Sequence, residues 1–428
     1  YEMQRSLVGS EMCIRDSLII YIVLALTFGY TMIVAETAIG RMTRKSPVGA
    51  FKSFGKKKWL SFGGWINAVI PVLIVPYYSV IGGWVIKYLV EYFRGNAKQL
   101  AEDGYFTDFI SNGVSTELCF MAFCAFTLII IFAGVQNGIE RVSKIMMPIL
   151  IVLSVIIAVY SVTRPGALAG VKYFLVPNVK NFSWMTVVSA MGQMFYSLSI
   201  AMGILITFGS YMKKDTAIED STRNVEVFDT GIAIMAGLMI IPAVFAFSGG
   251  DPDTLQAGPS LMFITIPKVF QNMGFGTVIG IVFFLLVLFA AVTSSIALTE
   301  SAVSTFEDEL GWGRKKATVL VGVIMLALGS LSSLGYGPLA GIKIIGMQFL
   351  DLFDFLTNSV MMPIAALLTS LLVSRVVGID KIEDEIIHGE SAFRRKKVFV
   401  VMIKYLCPVF AIIILLSSVA NALGWIKM

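Results

Sequence analysis

Residues 189–203, Ser-Ala-Met-Gly-Gln-Met-Phe-Tyr-Ser-Leu-Ser-Ile-Ala-Met-Gly, put two glycines, three serines and two alanines in the middle of a stretch long enough to cross a bilayer. Hydrocarbon offers no water to free backbone groups, so irregular backbone at that depth is tolerated only where it lines a cavity. A span that invites unwinding at Ser197 to Ala201 therefore marks a place where something polar binds. Close helix packing on small residues is the alternative reading of this segment alone. A second hydroxyl cluster, Thr293, Ser294 and Ser295, interrupts the apolar run from Leu285 to Ala297, with Ala290 three and four residues before Thr293 and Ser294 on the same helical face. Two hydroxyls and a carbonyl suit a small hard cation; hydroxyls bonding back to the preceding turn are the bland alternative.

Acids inside apolar stretches are costly and each is a candidate site. Asp229 needs a partner, either a bound cation, a proton, or a structural pairing with Arg223 or Lys214. Glu36 and Glu300 sit toward the cytoplasmic ends of their spans, where basic loop residues can satisfy them. Pro76-Tyr77-Tyr78 combines a kink with two phenols that either pack or aim a hydroxyl into a cavity. Asp351 and Asp354 open a span from the outside, as an extracellular gate or as a solvated helix start favoured by the dipole.

The elements that position these residues are membrane helices. The chain is 57% hydrophobic and 14% charged, against roughly 25% charged for an ordinary soluble domain. Ten segments of crossing length run approximately 18–40, 60–93, 116–135, 144–163, 184–212, 222–248, 272–306, 316–334, 348–375 and 398–424. The net charge of +5 does not indicate nucleic-acid binding, because the basic residues sit in loops and report topology. Arg41, Arg44, Lys45, Lys52, Lys56, Lys57 and Lys58 follow the first span with no acid among them, which places that loop in the cytoplasm. Alternation then puts the loops around 94–115 and 249–271 outside, those with Lys213/Lys214, Arg314 to Lys316 and Arg394 to Lys397 inside, and the C-terminus outside.

By the same count the span at Leu18 runs from outside to inside with no helix to carry residues 1–17 there, so a preceding span is expected, and polar residues 1–17 read as a foreign or damaged leader. Cys13, Cys119, Cys124 and Cys407 lack metal-ligand spacing, and His388, the one histidine, lies in a charged loop, which excludes histidine-based catalysis. A membrane-embedded enzyme or a channel is disfavoured by scattered acids and by the absence of a ring of identical ligands.

Four segments in order carry a resemblance: Gly138-Ile139-Glu140-Arg141 with Lys144, Met147 and Pro148; Gly192-Gln193-Met194-Phe195-Tyr196-Ser197-Leu198-Ser199; Thr293-Ser294-Ser295-Ile296-Ala297; and Phe306-Glu307-Asp308-Glu309-Leu310. Over residues 18–428 the chain resembles the neurotransmitter:sodium symporter family in its bacterial eleven-helix form. The resemblance implies an all-α polytopic membrane protein with the inverted-repeat transporter fold of the bacterial leucine transporter type. Its ten spans count as family helices 2–11, with residues 18–163 as the remainder of the first repeat, 184–375 as the second, and 398–424 as an additional C-terminal helix.

The same resemblance implies site residues. Ser197 and Asp229 would serve a first sodium, the match at Asp229 being approximate; the carbonyl of Ala290 and the hydroxyls of Thr293 and Ser294 would bind a second. Tyr78 would hold the substrate carboxylate, Tyr196 would form the lid, and Ile74, Ser199, Met202 and Leu298 would wall the side-chain pocket. Gln193 and Asp354 would belong to the outer gate and Asp308 to the inner gate, supported by Tyr211. The implied function is sodium-coupled symport of a neutral, hydrophobic amino acid by alternating access, independent of chloride because an acid stands at 229. Sodium ions are co-transported, no organic cofactor is required, and the lipid bilayer is the only other partner implied. A truncated, transport-inactive fragment or a non-transporting scaffold is the alternative.

Overall fold

The structure, a computed structural model, describes residues 18–176, 184–249 and 259–422. Residues 1–17, 177–183, 250–258 and 423–428, the last of these including the end of the final expected span, lie outside that description. All regular structure among the described residues is helical apart from a single bridge between Ile344 and Met347. Leaving aside a four-residue turn of helix at Ala97–Leu100, the helices in chain order are α1 (Leu18–Thr43), α2 (Pro47–Ser53), α3 (Lys58–Phe93), α4 (Tyr105–Ser111), α5 (Gly113–Phe132), α6 (Val135–Val162), α7 (Ala167–Leu175), α8 (Trp184–Ser197) and α9 (Ile204–Tyr211). They continue as α10 (Ile218–Ser248), α11 (Leu261–Gln271), α12 (Gly276–Leu310), α13 (Arg314–Leu334), α14 (Phe349–Val377), α15 (Ile379–Ile387) and α16 (Lys396–Asn421).

Nine of these helices are long and apolar enough to cross a membrane. They fall on nine of the ten expected segments. The tenth segment is α8 followed by α9, each too short alone, joined by 198–203 without regular helix. Unwinding was expected at Ser197 to Ala201, and there Ser199 (φ 53°), Ala201 (φ 58°) and Gly203 (φ 69°) adopt left-handed backbone, a conformation that costs residues with a Cβ about 1 kcal/mol or more. α6 begins earlier than the expected 144. The cause is a π-helical turn over Val135–Glu140 that carries Gly138-Ile139-Glu140 of the motif, Arg141 opening the α-helical part; only glycine fits at 138, where a Cβ would lie 2.1 Å from the Ile130 carbonyl.

The 36-residue α3 is the central post, with Pro71 and Pro76 inside it. It packs along α12, α5 and α13, while α1 packs along α9 and more lightly on α10. Both contacts depend on missing side chains. A Cβ on Gly83 would lie 2.6 Å from the backbone nitrogen of Phe120 in α5. Between α1 and α9 the fit is closer still: a Cβ on Gly40 would meet the Ile206 carbonyl at 2.0 Å, and one on Gly209 the Thr37 carbonyl at 2.5 Å. Small residues let helix backbones touch where lipid supplies no hydrophobic drive for association. Outside the spans, the Lys268 ammonium pairs with Asp103 and holds that carboxyl below its usual range, tying α11 to the loop before α4.

Candidate functional site

Three helices bring oxygen atoms together at the break. Ser197, the last residue of α8, donates its hydroxyl to Asp229 Oδ1 at 2.7 Å from α10. Tyr21 on α1, 5% exposed, gives a short hydrogen bond to Asp229 Oδ2 and lies 3.0 Å from Ser197 Oγ. Neither Arg223 nor Lys214 pairs with Asp229; both are exposed, and among the described residues no cation is within ion-pair distance of this carboxylate. The set is a carboxylate and two hydroxyls, oxygen atoms of the kind that suit a hard cation. Tyr21 was missed from the sequence. A phenol one turn inside an otherwise apolar span was the available signal.

Glu36 is also placed differently from expectation. Its side chain is fully buried, and Oε1 accepts the backbone N–H of Ala201 at 2.8 Å. The partner is therefore the unwound segment itself and not a basic loop residue, because the left-handed turn at Ala201 releases an amide that an unbroken helix would have used. Oε2 has no partner among the described residues. Glu300 behaves as expected: Arg314 binds both its carboxylate oxygens, at 3.0 and 2.5 Å.

The second hydroxyl cluster lies on α12, where Ala290, Thr293 and Ser294 are all half-buried. Thr293 Oγ1 donates to the carbonyls of Phe289 and Ala290, at 3.1 and 3.0 Å. The back-bonded arrangement is thus present, and it gathers the threonine hydroxyl and the Ala290 carbonyl at one point on the helix surface.

At the outer end, Asp354 accepts hydrogen bonds from Tyr77 at 3.3 Å and Asn358 at 2.5 Å. Gln193, expected beside it, has neither amide atom paired among the described residues. At the inner end Tyr211 was expected to support Asp308. Its hydroxyl instead donates to Glu300 at 2.8 Å, and Asp308 accepts the backbone N–H of Ser46 at 2.5 Å, just before α2. The reason is register: Glu300 lies two turns nearer the bilayer centre along α12, at the level where α9 packs on that helix.

Of the expected pocket residues, Ile74 (0% exposed), Tyr78 (4%), Tyr196 (2%), Met202 (1%) and Leu298 (2%) are buried. Ser199 is half-buried on the left-handed turn. Ile74 and Tyr78 stand on α3 and Leu298 on α12, helices that pack together, while Tyr196, Ser199 and Met202 flank the break.

A helical membrane protein with one span broken at midlength, hydroxyls and carboxylates at the break, and a long helix as a central post has the architecture expected of a secondary transporter. Comparison with known proteins places it further. A profile of the Sodium:neurotransmitter symporter family matches residues 90–425, and the chain belongs to that family. It is 32% identical over 405 residues to an uncharacterised sodium-dependent transporter, YhdH, of Bacillus subtilis, covering 94% of this chain and 89% of that protein. It is 29% identical over 388 residues to the uncharacterised sodium-dependent transporter MJ1319 of Methanocaldococcus jannaschii, covering 86% of this chain and 76% of the relative. Among solved structures, that of MhsT in complex with L-phenylalanine superposes with a TM-score of 0.85 at 32% identity and 97% coverage of both chains. The family consists of sodium-dependent transporters, not enzymes, and the fold is that of the leucine-transporter type.

Proposed function

We propose that the protein couples uptake of a neutral, hydrophobic amino acid to inward movement of sodium, without chloride. The observation that carries this is the Ser197–Asp229–Tyr21 cluster at the broken span. A fixed carboxylate beside a sodium supplies the negative charge that a chloride-dependent transporter takes from solution, and a human relative at 24% identity is named as a sodium- and chloride-dependent GABA transporter. The buried apolar residues Ile74, Met202 and Leu298 favour an apolar side chain, and flexible Met202 admits several shapes. MhsT, with its L-phenylalanine, agrees in kind.

In this reading Ser197 and Asp229 take the first sodium, and Ala290, Thr293 and Ser294 the second. Sodium and amino acid together stabilise an outward-occluded state, and loss of sodium on the cytoplasmic side favours opening inward. One charge crossing 100 mV supplies about 2.3 kcal/mol, to which the sodium gradient adds. The gate acids Asp354, with Gln193, and Asp308 close the two ends, and α8 and α9 rock with α1 against α3 and α12. The C-terminus lies outside an inner membrane.

The test is uptake by proteoliposomes under an inward sodium gradient, with each of the twenty amino acids competing against labelled leucine and phenylalanine. Accumulation that needs sodium, persists when gluconate replaces chloride, and is displaced best by apolar amino acids supports the proposal. Absence of sodium-dependent accumulation for every amino acid overturns it; accumulation that collapses without chloride removes the role given to Asp229.

A further inference from the structure

We propose that the turn Lys56-Lys57-Lys58, with the aromatic residues that follow it, is a binding surface for anionic phospholipid. All three lysines are exposed, and none forms an ion pair among the described residues. Three acids at this end are already engaged: Glu309 binds Lys52 at 2.5 Å, Asp308 accepts the Ser46 amide, and Glu385 binds Arg41 at 2.7 Å. Three adjacent ammonium groups therefore repel one another with no ion pair among the described residues to compensate them.

The residues beneath them select the partner. Lys58, Phe62 and Trp65 recur at the spacing of one helical face on α3, and Phe62 (55%) and Trp65 (39%) are exposed. Lys52 from α2 reaches the same stripe, with its Nζ 5.8 Å from the Trp65 ring centre. From Lys58 to Trp65 the helix rises about 10 Å, the depth over which an amphiphile passes from headgroup to acyl chain. Cations above and aromatic rings below match a molecule with an anionic head and an apolar body. A free phosphate leaves the rings unused, and a zwitterionic lipid leaves the lysines uncompensated. The surface is independent of the transport reading.

The experiment uses the full chain in phosphatidylcholine vesicles doped with dibrominated phosphatidylglycerol or, at equal mole fraction, dibrominated phosphatidylcholine. The signal is the part of the tryptophan fluorescence quenching that a Trp59→Phe/Trp65→Phe variant loses. Stronger quenching by the brominated phosphatidylglycerol, weakened by added salt, is expected. The triple variant Lys56→Gln/Lys57→Gln/Lys58→Gln should lose this preference, with affinity falling on the order of 100-fold. The triple arginine variant and a Lys315→Gln/Lys316→Gln control should keep it. Equal quenching by the two lipids, or a preference that survives the triple glutamine variant when its far-ultraviolet circular dichroism is unchanged, overturns the proposal.

Discussion

At the scale of single residues, the chemistry concentrates on one carboxylate. Asp229 collects hydroxyls from two other helices and, among the described residues, no fixed cation, the arrangement on which the proposed sodium role rests. Hydrogen bonds to a charged group are worth about 1.5–3 kcal/mol. Tyr21→Phe should therefore weaken the apparent sodium affinity of transport by about tenfold, read from sodium titrations of uptake. Asp229→Asn should weaken it further and should make uptake respond to added chloride; an unchanged sodium dependence in both variants would remove the cluster from the coupling mechanism. Ser197 and Asp229 were legible in the sequence because polar atoms in an apolar span stand out. Tyr21 and the true partner of Glu36 were not. A tyrosine in a span is usually a packing residue, and the amide that Glu36 accepts exists only once the chain at Ala201 has turned left-handed.

Elements were more legible than partners. Span positions follow from the length of apolar runs, which the bilayer thickness dictates, and the break followed from the small residues around Ser197. The early start of α6 was hidden, because a π-helical turn leaves no mark in hydropathy. The left-handed stretch makes a prediction of its own. Glycine tolerates φ 58° at residue 201 without the penalty that alanine bears, so Ala201→Gly should raise stability by about 1 kcal/mol, seen as a higher midpoint of thermal unfolding in detergent. A lower midpoint would show that the alanine methyl group contributes packing worth more than the backbone strain.

Taken whole, the molecule is fastened at one end by buried ionic contacts that the sequence did not reveal. Arg41, fully buried at the end of α1, binds Glu385 of α15 and the Thr216 carbonyl before α10. Glu219 at the start of α10 accepts the successive amides of Arg394 and Arg395, at 2.8 and 2.9 Å, and Arg395 also binds Glu226. Removing one partner of a buried pair costs roughly 3–5 kcal/mol. Arg41→Leu should accordingly lower the unfolding midpoint far more than Lys144→Leu, whose partner Glu140 is 52% exposed; equal effects would mean that the Arg41 contact is dispensable. These pairs join residues more than 150 positions apart, which is why no local pattern announced them. The glycine contact between α1 and α9 has a different reach. With Gly40 and Gly209 letting the two backbones interlock, neither helix can slide past the other, so a spin label at Val23, which is 55% exposed on α1, would report the displacement of a helix it never touches.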